Sequence, residues 1–285
     1  MSNERFTHDL FIFKENLTIM HFDDICARGF KYYHELISAD FISMLPVRKH
    51  LFIRLLYHAE TTSSAIFLLI NKGLLLQSLS LCRVRLEQVI VTSYLIHEVV
   101  EVALAPFVYH MKIKQYRDAK MVNEDPVLSS FFDKNIDFIR TEAAEAQRTM
   151  NPSFEKASEA FCRKWTNLDL LSMAKKRDRL TKDADAISKK PLELVYKSLY
   201  PLLSSFVHCD MASVSQDFLK IFSFDNEKPG VLMPDPSWAV IIAGYCCLFD
   251  IIQIHETLAY VDKGSFDYYK ELENERISVS KEANL

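Results

Sequence analysis

Arg83, Glu87, Tyr200, Ser204 and His208 are the residues whose types and spacing could carry out chemistry. Arg83 and Glu87 stand four apart in the apolar run LCRVRLEQVIV, so on a helix they share a face, and Arg85 points elsewhere on the same segment. Tyr200, Ser204 and His208 are also four apart, within YPLLSSFVH, and a helix would stack phenol, hydroxyl and imidazole along one side. Buried polar groups need hydrogen-bond partners, which makes the two segments natural partners of each other. As a site, His208 would move a proton as general acid or base. Arg83 and Arg85 would bind phosphate, with Glu87, Tyr200 and Ser204 as the supporting groups. As packing alone, Arg83 and Glu87 would be an ion pair that fixes helix register. Ser and His four apart on a helix match no ordinary nucleophile and base arrangement, so a serine hydrolase is not expected.

A second candidate is electrostatic. Arg163 to Lys190 holds nine basic and four acidic residues in a chain whose net charge is -4. Arg163, Lys164, Trp165, Lys175, Lys176, Arg177 and Arg179 are the candidate RNA-binding residues, by counterion release at phosphates and base stacking on the indole. The competing reading is a solvated helical face. Metal ligation has no support, because no H-x-x-x-H or H-E-x-x-H occurs, and the 5 scattered glycines form no phosphate loop. No cofactor is expected.

The run LCRVRLEQVIVTSYLIHE, the following HMKIKQYRDAKMV, the Trp165-centred KWTNLDLLSMA and YPLLSSFVH together resemble a family of bacterial helical proteins known only as a domain of unknown function. The order R-x-x-x-E, then Trp, then Y-x-x-x-S-x-x-x-H covers roughly Arg54 to Tyr260. That resemblance implies an all-helical cytosolic fold and a polar cluster shared by the two motifs, and no established reaction. A fainter resemblance is to helical ribonuclease domains of toxin and antiphage systems, marked by Arg, four to six residues, then His. Arg28-Gly-Phe-Lys-Tyr-Tyr-His34 has that spacing, although Gly29 departs from the polar residue usual there. The class implies metal-independent RNA cleavage, with Arg on the scissile phosphate and His on the ribose 2′-hydroxyl proton, and often a homodimer or a partner protein from the same system.

The elements that must position these residues are helices. Phe22, Ile25, Cys26, Phe30, Tyr33 and Ile37 recur at helical spacing. A second helix should start at Pro46 and run through Leu51, Leu55, His58, Thr62, Phe67 and Ile70 to a stop at Gly73. Leu74 to about His97, apolar almost all round, should be central. Pro106 should mark a kink or boundary, and Pro126 to Arg148 another amphipathic helix. Charge rises and periodicity weakens between Met150 and Pro191, the expected seam or flap. Pro191 to Phe222 and Trp238 to Tyr260 are the last strong helices.

With 285 residues, 49% of them hydrophobic, the chain can bury a large core, and 5 glycines with 9 prolines are too few for the turns of an all-β fold. The expected architecture is all-α, a single irregular bundle of roughly seven to nine helices. It comprises an N-terminal segment over 1–20, a helical domain over 21–265 with a charged insertion at 150–190, and a polar tail over 266–285. The six cysteines lack C-x-x-C spacing, which suits reduced, packed thiols. The charged N-terminus and an apolar run of about a dozen residues from Trp238 to Phe249 suit a cytoplasmic protein rather than an exported or membrane-spanning one. The leading functional expectation is a bacterial toxin or antiviral-defence protein, a metal-independent endoribonuclease acting on RNA. The alternative is a non-catalytic interaction or sensing module whose Arg-Glu/Tyr-Ser-His cluster is structural.

Overall fold

Among the described residues, most of the helical periodicity in the sequence is realised as helix. The structure, a computed structural model, describes residues 2–125, 127, 129, 136–150, 164–208, 222–224, 232–234, 236–262 and 266–283, with the backbone alone at 2–14, 47, 205–208, 222–224, 232–234, 236 and 266. Among these residues lie ten helices: α1 Ser2–Leu36, α2 Ala39–Met44, α3 Val47–Asn71, α4 Leu75–His97, α5 Leu104–Glu124, α6 Ile136–Met150, α7 Leu170–Leu180, α8 Leu192–His208, α9 Pro236–Tyr260 and α10 Phe266–Glu282. A short antiparallel hairpin pairs β1 Phe222–Phe224 with β2 Leu232–Pro234, with Ser223 opposite Met233. The fold is all-α, and six-residue α2 together with α10 takes the helix number just past seven to nine. Where a polar tail is expected, α10 forms instead, because Tyr269 and Leu272 recur at helical spacing and are buried. The chain divides into two compact units, Met1–Ile96 with Met173–Leu285, and His97–Ser172.

In the first unit α9 lies against α1, α3 and α10, and α10 also lies against α1. The face of α1 read from the sequence is the one that packs: Phe22, Ile25, Cys26, Phe30, Tyr33 and Ile37 are all buried. Each fully buried side chain of this size contributes roughly 1.5–3 kcal/mol relative to exposure. Pro46, whose φ is −58°, is the N-cap of α3, and the helix ends before Gly73, whose φ of +70° lies in the left-handed region that glycine adopts without strain. The expected Phe67 and Ile70 are in its core face, but as far as Thr62 that face is turned one residue from the expected row. Phe52, Leu56, Ala59, Ser63, Ile66, Phe67 and Ile70 are buried, whereas His58 is exposed and Leu51, Leu55 and Thr62 are half-buried. Both rows contain apolar side chains, and the neighbouring helices decide which one is covered.

α9 is apolar enough over Ser237–Tyr260 to cross a membrane by length and composition alone, and 72% of that window is buried inside the protein. It is longer than the run Trp238–Phe249 because Asp250, Gln253 and Glu256 continue it, each of them buried. Those polar groups have protein partners, which suits a core helix. Cys26, Cys82, Cys246 and Cys247 are free and buried, and burial pushes the Cys82 thiol up to about 12. Cys162 and Cys209 lie outside the described residues.

The second unit is built on α5 packed against α6. Ala143 and Ala146 let α6 approach Ile113 closely, and Tyr109, Tyr116 and Met150 close around that contact. Pro106 falls in the first turn of α5, where its missing N–H leaves no helical bond unmade, so it marks a boundary. The expected helix from Pro126 is described from Ile136 onward; Phe131 and Phe132 lie outside the described residues. Trp165 stands edge-on to Phe107 with ring centroids 5.2 Å apart.

Candidate functional site

α4 and α8 meet through three side chains. Arg83 Nε donates to Glu87 Oε1 at 3.1 Å and Arg83 Nη2 to the Tyr200 hydroxyl at 3.0 Å, while that hydroxyl donates to the same Glu87 Oε1 at 3.2 Å. The guanidinium carbon also lies 5.0 Å from the Tyr200 ring centroid, and Tyr196 stacks on Tyr200 at 4.4 Å with an interplanar angle of 17°. Arg83 is largely covered, at 16% side-chain exposure, and Glu87 is half open at 35%. Burial and the Glu87 charge push the Tyr200 phenol above its ordinary range, with Arg83 opposing, so the hydroxyl stays neutral and able to donate.

α8 is held in place from its N-terminus. Asp178 on α7 accepts from the backbone N–H of Leu192 at 3.2 Å and of Glu193 at 2.8 Å, two donors with no partner inside the helix. A carboxylate there also complements the positive end of the helix dipole. Asp178 in turn receives Arg177 Nη1 at 3.1 Å. Pro201 sits within α8 one residue after Tyr200 and is exposed.

Two arginines of the candidate list are fully enclosed. Arg85 has no exposure and donates to Asp250 Oδ1 at 2.9 Å, to Gln253 Oε1 at 2.6 Å and to Ser63 Oγ at 3.1 Å; Ser63 then donates to Asp250 at 2.7 Å. Arg177, likewise unexposed, donates to Glu256 Oε1 at 2.6 Å, to Ser93 Oγ at 2.7 Å and to the Lys190 carbonyl at 2.6 Å. Ser93 also donates to Glu256. Arg85 on α4 thus joins α3 and α9, and Arg177 on α7 joins α4, α9 and the loop at Lys190, which is the arrangement a buried charge requires. Burial still raises the Asp250 carboxyl above its ordinary range, despite Arg85.

Arg83, Glu87 and Tyr200 come together as the paired spacings predict. Ser204 is half-buried one turn further along α8, and no hydrogen bond joins it to that triangle among the described residues. His208 closes α8, and its side chain lies outside the described residues, as does Arg163 altogether. Of the basic candidates, Lys164 and Arg179 are exposed, Trp165, Lys175 and Lys176 are half-buried, and Arg177 faces the interior. Lys176 Nζ lies 5.8 Å from the Tyr94 ring centroid. Arg28 and His34 part company: Arg28 pairs with Asp24 at 2.8 Å and Glu275 at 2.6 Å, whereas His34 pairs with Glu60 at 3.0 Å. Six residues on a helix amount to about 600°, which leaves the two side chains on different faces.

Sequence reasoning missed Asp250, Gln253 and Glu256. The signal was present: three strongly polar residues at i, i+3 and i+6 on the most apolar helix, a pattern that can be accommodated only with buried partners. It missed the pair His255 Nε2 and Asp185 Oδ1 at 3.0 Å as well, since nothing local links a helix to a loop seventy residues earlier. Among the described residues no group of three or more His, Cys, Asp or Glu is arranged to hold a metal ion.

A family described as a family of unknown function, DUF5677, matches residues 49–228, which takes in α3 through α8 and therefore Arg83, Glu87 and Tyr200. No curated protein and no solved structure matches the chain.

Proposed function

The chain belongs to that family of unknown function, and we propose that it works by binding rather than by chemistry, as an interaction or sensing module whose Arg-Glu/Tyr-Ser-His segments specify how α4 and α8 pack. One observation carries this reading: Arg83, Glu87 and Tyr200 satisfy one another within 3.2 Å. A general acid or base needs its supporting groups directed at a substrate, and these are directed at each other. Arg85, the second expected phosphate binder, is enclosed with Asp250. In this proposal the partner is a second copy of the chain or another protein of a toxin or antiviral-defence system.

The ribonuclease reading assigns proton transfer to His208 and RNA contact to the exposed basic residues, Lys164 and Arg179 among them. The two readings separate in one experiment: purified wild type and His208→Ala are incubated with total RNA in chelator, after both are shown folded by circular dichroism. The binding module gives RNA profiles identical to a protein-free control in both cases. Chelator-resistant cleavage by the wild type that disappears in His208→Ala would overturn it.

A further inference from the structure

A cavity of about 590 Å³ opens between α1 and α3, within the roughly 300–1,000 Å³ of small-ligand sites. Helical spacing builds its walls, because Asp23, Ala27, Phe30 and His34 recur every three or four residues on α1, and Glu60 and Phe67 face them two turns apart on α3. Phe30, Phe67 and Cys26 are buried and supply an apolar side. The charged lining is unequal: Asp23, Glu35 and Glu60 stand against Lys31 and, when protonated, His34.

Among the described residues two of those carboxylates have no counter-ion. Neither Asp23 nor Glu35 has a cationic partner within 4 Å among the described residues. Burial and the adjacent Asp24 raise the Asp23 carboxyl above its ordinary range, which is the response of an acid short of positive charge. Glu60 meets His34 Nε2 with both carboxylate oxygens at 3.0 Å, so it already presents a two-oxygen acceptor to a nitrogen donor on the cavity wall.

We infer that this cavity is a binding site for a small organic cation, an ammonium or guanidinium on an apolar body, with Glu60 accepting its N–H groups and Asp23 and Glu35 supplying counter-charge. The apolar body lies along Phe30 and Phe67. His34 competes with the cation for Glu60 and is displaced by it. An anion would face three carboxylates with one lysine, so the site discriminates by charge. The inference stands apart from the packing role of Arg83, Glu87 and Tyr200, whose residues it does not use.

Calorimetric titration of the full chain with phenethylammonium and with agmatine, using phenylacetate as the anionic counterpart, tests it. Expected are saturable one-to-one binding of at least one cation and no binding of phenylacetate. Glu60→Gln weakens that binding at least tenfold and Glu35→Gln, an exposed and fold-neutral change, several-fold. His34→Ala tightens it severalfold by releasing Glu60, a direction that a merely structural histidine would not give. Ala27→Trp fills the cavity and abolishes binding, with the melting temperature of the free protein nearly unchanged. Tyr200→Phe leaves the affinity intact, so the cation site and the proposed packing cluster are read independently. The inference is overturned if neither cation binds the folded wild type, if phenylacetate binds as well as its cationic counterpart, or if Glu35→Gln and His34→Ala both leave the affinity unaltered.

Discussion

Arg85 and Arg177 illustrate how one side chain can be read in two ways until its surroundings are known. Each is fully buried, and the loss of hydration is offset by a carboxylate on α9, Asp250 for Arg85 and Glu256 for Arg177, with Asp178 a second carboxylate on Arg177 and neutral acceptors for other N–H groups. Removing one partner should therefore be far more damaging than removing both. Arg85→Ala strands Asp250 in the interior and is expected to lower stability by about 3–5 kcal/mol, measured by urea denaturation. Arg85→Met combined with Asp250→Leu is expected to recover most of that loss. A change below about 1 kcal/mol in Arg85→Ala would show that the pair is not desolvated as described. Tyr200→Phe removes a hydroxyl that both donates and accepts, and should cost about 1 kcal/mol.

At the scale of the element, two glycines have opposite meanings. Gly73 ends α3 with φ of +70°, and a Cβ there would meet nothing within 4 Å, so the obstacle to Gly73→Ala is backbone conformation rather than space. The substitution should lower stability by roughly 1–2 kcal/mol. Gly29 lies inside α1, where an added Cβ would make ordinary contacts of 3.5 Å with Ile254 Cδ1 on α9 and Leu272 Cδ1 on α10. Gly29→Ala should therefore raise stability by up to about 1 kcal/mol, since alanine is the better helix former. A pair of thermal melts decides both signs. The expected face of α1 agrees with burial residue by residue because its polar and apolar positions alternate cleanly. In α3 the expected Phe67 and Ile70 are buried, but its N-terminal half is apolar on adjacent rows, Leu51 and Leu55 beside Phe52 and Leu56, and only the approach of α9 chooses between them.

At the scale of the molecule, the buried acids set the response to pH. Burial works against the charge of Glu273, but Arg276 and Lys190 hold its carboxyl below the ordinary range. Asp185 is held below it too, against its own burial, by His255 and by the hydroxyl and backbone N–H of Ser188. A depressed carboxyl contributes stability that is present above its unfolded pKa, about 4 for these groups, and is lost as pH falls through the lower folded value. Asp250 has the opposite sign, since its raised carboxyl makes ionisation unfavourable and acid relieves that cost. Asp185, Glu273 and Glu193 are depressed, whereas Asp250 and Asp23 are raised, and the depressed acids predict a loss of stability below about pH 4. Glu273→Gln should flatten that acid limb in urea titrations between about pH 3 and pH 7. An unchanged slope would mean that Glu273 is not ionised against Arg276 and Lys190 in the native state.

The sequence by itself determined most of the helices though not α2 or α10, the core face of α1, the burial of α4 and α9, and the meeting of Arg83 and Glu87 with Tyr200. These follow from periods of three and four residues and from the need of polar groups on apolar faces for partners. Only the tertiary structure decided that Arg85 and Arg177 turn inward, that Asp250 and Glu256 receive them, and that Asp23, Glu35 and Glu60 border one cavity. The physical reason is distance along the chain. Spacing within a helix is fixed by its geometry, whereas Arg85 and Asp250 are 165 residues apart, and their pairing depends on how whole helices pack.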